Sequence, residues 1–355
     1  MSHTSVAVVG GGIFGATSAV ELARHGFDVT LFEQKSHLFA EASGHNQNRL
    51  HLGYHYPRAP VTVRQLKNSF SSFMEEYSSA VIYDSISYYA IARQNSRTSP
   101  EAFLMFCRMM DLEYRITETE LLNPNQIDLC VEVPEPIIDP DKLRKICESN
   151  LRAEGVKVFL NTIASSVTLA RFDAIVIATY ARINELLVGL GCSTKLYQFE
   201  VCEKPLVKLP SALRGRSIVI LDGSFMCLDP IGNSELSQLG NVRQAIHAAN
   251  VGLFPEIPEE LHSMVNNGLI VDFNKSRFMS FIHDAKKFIR NIDRTEHCGS
   301  RLTVRCVIPH LEKTDERPTV LTRHSSNVFS VWSGKMVTSV AAARQMARAI
   351  AGDCV

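Results

Sequence analysis

The chain has no net charge, no closely paired cysteines and no long apolar run. Its 37 Lys and Arg residues balance 37 Asp and Glu, so no overall field steers it toward nucleic acid or an anionic membrane, and neither is expected as a partner. Nine cysteines scatter without a C-x-x-C pair, a pattern that suits a reducing cytoplasm better than a disulfide framework or a structural zinc site; no metal is expected. The first residues are polar, and no segment approaches the roughly 18 consecutive apolar residues that a spanning helix needs. Neither a secretory signal nor membrane insertion is therefore expected. Internal repeats and low-complexity tails are also lacking. With 355 residues the chain has room for about two to three domains.

What is present is concentrated at residues 5–33, SVAVVGGGIFGATSAVELARHGFDVTLFE. The β-branched run at 6–9 continues without alternation, as a buried parallel strand does. It runs straight into Gly10, Gly12 and Gly15, a G-x-G-x-x-G turn. Glycines at these spacings permit a tight turn, close backbone approach to a pyrophosphate, and close packing of the following helix. Ala16, Ala19, Val20, Leu22 and Ala23 give that helix a small apolar face, and a second buried strand at 29–32 ends on Glu33. A carboxylate there is placed to accept bonds from ribose hydroxyls while the helix N-terminus faces a diphosphate. Strand, turn, helix, strand and acid in this order predict a dinucleotide site.

Further along, the segment EASGHNQNRLHLGYHYP is polar, aromatic and without periodicity, so it reads as a connection lying along the rest of a bound dinucleotide. Residues 61–77 predict an amphipathic helix, and 100–110 another. Asp139 and Pro140 mark a helix start that Gly155 ends. Runs at 156–160 and 172–179 predict strands of the same parallel sheet. Residues 196–207, 217–221 and 225–228 predict a mixed or antiparallel sheet broken by an Asp229-Pro230 turn, while 273–292 has helical spacing and 302–309 is strand-like. A last strand at 327–332, a small-residue turn and an Ala-rich helix from 338 to 351 close the pattern. The fold class is thus α/β: a Rossmann-like dinucleotide domain joined to an α+β substrate domain on a mixed, largely antiparallel sheet. Residues 1–79, 138–190 and 324–355 are expected to form the first, and 80–137 with 191–323 the second.

Together these pieces resemble the FAD-dependent oxidoreductases that include D-amino-acid oxidase, glycine oxidase, sarcosine oxidase and L-2-hydroxyglutarate dehydrogenase. The resemblance is carried by the first 29-residue stretch quoted above, SGHNQNRLHLGYHYP, DPDKLRKICESNLRAEGVKV, DAIVIAT and VFSVWSGKMVTSVAAARQMARAI. It implies non-covalent FAD. Gly10, Gly12, Ile13, Phe14 and Gly15 would hold the diphosphate, with Glu33 and Gln34 at the adenosine ribose. Ser43, Gly44, Asn46, Asn48, Arg49 and Leu50 would line diphosphate and flavin. Val158 would offer backbone bonds to adenine, and Ala178 and Thr179 would end beside the adenosine, although Tyr180 stands where the family has glycine. Ser333, Gly334, Lys335, Met336, Val337 and Thr338 would approach the ring, where a cation or oriented amides favour reduction.

For the substrate, the resemblance puts a carboxylate clamp at Arg301 or Arg305 and a proton acceptor at His51. Cys306 lies near a position of covalent flavin attachment in sarcosine oxidase, but a cysteine between valines reads as packing, and no covalent bond is expected. The expected reaction is removal of hydride from a C–H next to an amine of a small substrate bearing a carboxylate, an amino acid above all. The alternatives are a 2-hydroxy-acid dehydrogenase, a flavin-binding protein without turnover, and a nicotinamide-dependent reductase using the same glycine turn.

Overall fold

The computed structural model describes residues 4–223, 225–311 and 313–352. Ser5–Val9 lies at the centre of a six-stranded sheet, between Asp28–Phe32 and Ala174–Ile177, all three parallel. Lys157–Phe159 extends the sheet beyond Asp28–Phe32, and Val328–Trp332 joins beyond Ala174–Ile177, again parallel. Val320–Arg323 closes that edge antiparallel. Central strands buried on both faces need apolar residues at every position, which is why they lack alternation.

The helices Ile13–Arg24, Pro60–Tyr77, Pro140–Ala153 and Ser339–Ala351 gather over one face in a core that includes Val6, Val8, Ala16, Leu22, Leu66, Phe73, Leu143 and Val340. Asp139 caps its helix as its position in the sequence suggests, accepting from the amides of Asp141 and Lys142 at 3.0 Å. On the other face Ala7, Val9, Ile175 and Ile177 meet Phe199, Val201, Leu302 and Val304 of a second sheet.

That second sheet has nine strands. Arg216–Leu221 and Ile86–Ala92 run parallel, and the other pairings are antiparallel. Its longest members, Tyr197–Lys208 and Glu296–Val307, pair from Gln198 opposite Val307 to Lys208 opposite Glu296. The architecture is therefore α/β, with a Rossmann-like sheet beside a mixed, largely antiparallel one.

Three elements differ from the sequence-based expectation. The 273–292 pattern yields an α-helix only at Phe278–Ala285, after which Phe288 and Ile289 face the core from turns and Ile292 from the start of a short 3-10 helix, Ile292–Arg294. Apolar spacing records burial, and a chain folded back in short turns satisfies it equally well. The strand at 302–309 starts earlier, at Glu296, because its first half carries polar residues that bond inward: Ser300 donates to Glu203 at 2.6 Å. Asp229 and Pro230 make no turn; they end the strand Met226–Pro230, with Asp229 fully buried.

Tyr180 occupies a left-handed conformation, φ 49°, which explains why a glycine suits the position. Here the ring offsets the backbone strain. It stacks near Trp332, its hydroxyl donates to the Cys306 carbonyl at 2.7 Å and accepts from the Cys306 amide at 3.0 Å. The residue thereby ties the end of the parallel sheet to the long strand of the other.

Candidate active site

Between the carboxyl ends of the parallel strands and one face of the second sheet lies a cavity of about 1240 Å³. This exceeds the roughly 300–1,000 Å³ of a typical small-molecule site, and the position is where open α/β sheets bind ligands. Gly10, Gly12, Ile13, Phe14, Glu33, Gln34, Ser43, Asn46, Arg49, Ala178 and Thr179 line it near the parallel sheet. His51, His55, Tyr56, Ser333, Gly334, Lys335 and Met336 line another part, and Glu200, Cys202, Lys204 and Arg305 come from the second sheet. Gly15, Gly44, Asn48, Leu50, Val158, Arg301, Val337 and Thr338 do not reach the wall. Val158 sits on the edge strand, 37% exposed, while Thr162, Ile163 and Ala164 reach the cavity instead.

The glycine turn is built for close approach. Gly10 has φ 108°, and a Cβ there would stand 2.6 Å from the Ala178 carbonyl oxygen. At Gly12 a Cβ would come within 2.9 Å of the Ser43 hydroxyl. The Gly11 amide donates to Glu33 Oε2 at 2.6 Å and the Ile13 amide to Ser43 Oγ at 3.0 Å, so strand end, turn and loop are held as one unit.

Arg49 is committed elsewhere: its Nε and Nη2 donate to the two oxygens of Asp229 at 2.5 and 2.7 Å, both side chains being buried. Arg305 is paired with Glu200 directly opposite on the neighbouring strand. His51 and His55 are held neutral by burial, their values pushed well below the ordinary one, with Lys335 and Arg49 acting in the same direction on both. His51 Nδ1 lies 3.9 Å from Glu135 Oε1, too far for a hydrogen bond, and neither Nδ1 has a partner among the described residues. Glu135 accepts from the Leu52 amide at 2.9 Å and from the Tyr89 hydroxyl, and burial raises it. Lys335 Nζ stands 4.6 Å from the Tyr56 ring centroid. Burial first, then Arg317, lowers it to about 7. Cys306 is buried, and burial pushes its thiol up to about 12, far from a thiolate nucleophile at neutral pH.

Residues 5–239 match the family described as DAO, FAD dependent oxidoreductase. The chain belongs to this family of FAD-dependent oxidoreductases. Over 385 residues it is 26% identical to the FAD-dependent monooxygenase kojA of Aspergillus flavus, spanning 96% of this chain and 84% of that one. Glycine oxidase from Geobacillus kaustophilus superposes with TM-score 0.73 at 16% identity, over 100% of this chain and 96% of the other. Dithionite-reduced L-α-glycerophosphate oxidase from Mycoplasma pneumoniae with FAD bound gives 0.74 at 14%, over 99% and 95%. At these identities the two structures share the fold.

FAD is the cofactor of the family, and the residues fit it. A tight glycine turn lining the cavity at Gly10 and Gly12, a carboxylate closing the second strand and a cavity of dinucleotide size are what the two halves of FAD require. Several residues on or behind the cavity wall carry no sequence signature. Glu200 and Lys204 are wall charges in a mostly apolar strand, and the signal available was spacing: Gln198, Glu200, Cys202 and Lys204 alternate and share one strand face, whereas Asp229 behind the wall is a lone charge in its strand. Glu135 lies in a short connection that looks like any acidic turn.

The depressed Lys335 makes a stability prediction. An ammonium that is charged in the unfolded chain, at its ordinary 10.5, and neutral when buried above about 7 costs stability fully below the lower value; the cost is relieved as pH rises toward the upper one. Lys335→Met is therefore expected to raise Tm of the flavin-free protein at about pH 6, with the gain shrinking by about pH 10. A gain that grows with pH would sink the assignment.

Proposed function

We propose that the enzyme takes a hydride from a C–H next to an amine of a small substrate bearing a carboxylate. The observation that carries this reading is the placement of two partly buried imidazoles, His51 and His55, on the cavity wall with Lys335, whose charge together with burial favours their neutral form. FAD, when bound, supplies the hydride acceptor. The protein positions the substrate, excludes water and holds the proton released from nitrogen. A neutral imidazole can take that proton through Nε2, the Nδ1 of each ring being buried away from the cavity without a partner.

In this reading Gly10, Gly12 and Ile13 serve the diphosphate, Glu33 and Gln34 the adenosine, and Asn46, Ser333, Lys335 and Met336 the flavin, with no covalent bond. The free state of the eight described cysteines supports a reducing compartment, the cytoplasm in our reading. Among the described residues no helix is long and apolar enough to cross a membrane.

One observation favours a second reading. The same imidazoles would equally accept a hydroxyl proton, which suits oxidation of a 2-hydroxy acid, and the resemblance of the His51 loop to L-2-hydroxyglutarate dehydrogenase points the same way. Anaerobic mixing with amino acids, secondary amines and 2-hydroxy acids is the test, scored by loss of the flavin absorbance. Bleaching by amines is expected; bleaching by hydroxy acids alone transfers the assignment to the second reading. Bleaching by neither removes both. Isotopic oxygen appearing in the product, rather than peroxide in solution, would align the chain with the activity named for kojA.

A further inference from the structure

The face of Tyr197–Lys208 that bounds the cavity holds two cross-strand charge pairs of opposite character. Glu200 stands opposite Arg305, and the two form an ion pair. Four residues on, Lys204 stands opposite Arg301. Residues directly opposite on an antiparallel pair project to the same side, and like charges so placed are destabilising. Neither Lys204 nor Arg301 forms an ion pair or side-chain hydrogen bond among the described residues.

The nearby acids are no remedy. Asp229, whose charge acts on Lys204, is already bound through both oxygens to Arg49. Asp141, whose charge acts on Arg301, is a largely exposed residue at the start of its helix. A third basic group adjoins the pair: Arg301 and Lys204 both act on His45, which burial with their help lowers to about 4, and His45 Nδ1 is buried with no hydrogen-bond partner. Lys204 and His45 reach the cavity wall, and Arg301, opposite Lys204 on the next strand, does not. Two cations without a partner carboxylate, Lys204 and Arg301, beside an unbonded neutral imidazole, on a strand pair whose other arginine is neutralised by Glu200, describe a place made for an anion that arrives from outside.

We propose that Lys204, backed by Arg301 and flanked by His45, takes the anionic group of the substrate, a carboxylate or a phosphate ester, and that Arg305 does not. The inference rests on reading this cavity as the substrate chamber of the oxidoreductase. Arg305 keeps its partner Glu200, and its role is to neutralise that carboxylate. Lys204 sets the requirement for a negatively charged substrate.

The test uses FAD-loaded enzyme and binding alone, so it stands apart from turnover. Calorimetric titration at constant ionic strength with propionate, and separately with inorganic phosphate, is expected to show saturable binding of one of them; which one identifies the group. Lys204→Met should raise Kd at least tenfold and Lys204→Arg should keep it within about threefold. The double variant Glu200→Gln/Arg305→Gln removes both charges of the other pair together and should also stay within threefold. Flavin content certifies the fold of each variant, with Lys204→Gln replacing Lys204→Met should that one fail to retain FAD. Unchanged Kd on removing Lys204, loss confined to the double variant, or no saturable binding of either anion to the wild type would each overturn the proposal. A substrate panel that bleaches no flavin, beside anion binding that depends on Lys204, would remove the functional reading and leave the anion site standing.

Discussion

Gly15→Ala is expected to yield a protein that retains little flavin and unfolds with a loss of about 3 kcal/mol or more, among the largest effects a single methyl group produces. The third glycine of the turn lies on the first turn of Ile13–Arg24, where that helix presses against the loop entering it. A Cβ at this position would fall 1.8 Å from the Gly10 carbonyl oxygen and 3.4 Å from the Ala178 side chain. The first contact is with backbone, so no rotamer change relieves it. Either the helix lifts from the strand or the turn opens, and both displace the amides of Gly11 and Ile13 from Glu33 and Ser43. Gly334→Ala is the matched control, since nothing lies within 4 Å of a Cβ there. In the flavin-free protein its stability should stay within about 0.5 kcal/mol of the wild type, as substitutions into open space do. Denaturant unfolding together with the ratio of visible to ultraviolet absorbance checks both; a yellow, equally stable Gly15→Ala protein would refute the packing argument.

The glycine turn was legible because everything it needs is local. Strand, turn, helix and acid lie within 29 consecutive residues, and each residue type reports a backbone demand rather than a distant partner. The cap at Asp139 was legible for the same reason. Arg49 was not: its partner Asp229 is 180 positions away, and from sequence an arginine in a polar loop looks like a flavin ligand or a solvated charge. Arg301 and Arg305 show the limit most plainly. Spacing of four puts them on one strand face, yet the opposing strand gives Arg305 a glutamate and Arg301 a lysine, and only register distinguishes them. At Tyr180 the sequence registers a missing glycine but not the Cys306 backbone and the Trp332 ring that accommodate the larger residue. Long apolar patterns such as 273–292 mislead in another way, because periodicity reports which residues are buried without fixing the backbone that buries them.

Arg49→Met carries the second large expectation. The pair it breaks is almost wholly buried, with side-chain exposures of 1% for Arg49 and 0% for Asp229. Removing the guanidinium leaves the Asp229 carboxylate with the Ser217 hydroxyl, 2.8 Å away, as its remaining side-chain donor among the described residues. Stranding a buried charge in this way costs about 3–5 kcal/mol. Replacing both members is a different matter, because desolvation nearly cancels the attraction between buried ions; Arg49→Met/Asp229→Leu should recover most of the lost stability. The loop would respond locally even then. Arg49 is flanked by two backbone bonds, Ile138 N–H to the Asn48 carbonyl at 2.6 Å and Leu50 N–H to the Pro136 carbonyl at 2.9 Å, which survive both substitutions. These hold His51 and Tyr56 near Lys335, so the double variant is expected to keep FAD while the single variant loses it on mild warming. Urea titrations of the single and double variants decide the matter. Equal stability of Arg49→Met and wild type would mean that the pair contributes nothing to anchoring the cavity loop on the second sheet.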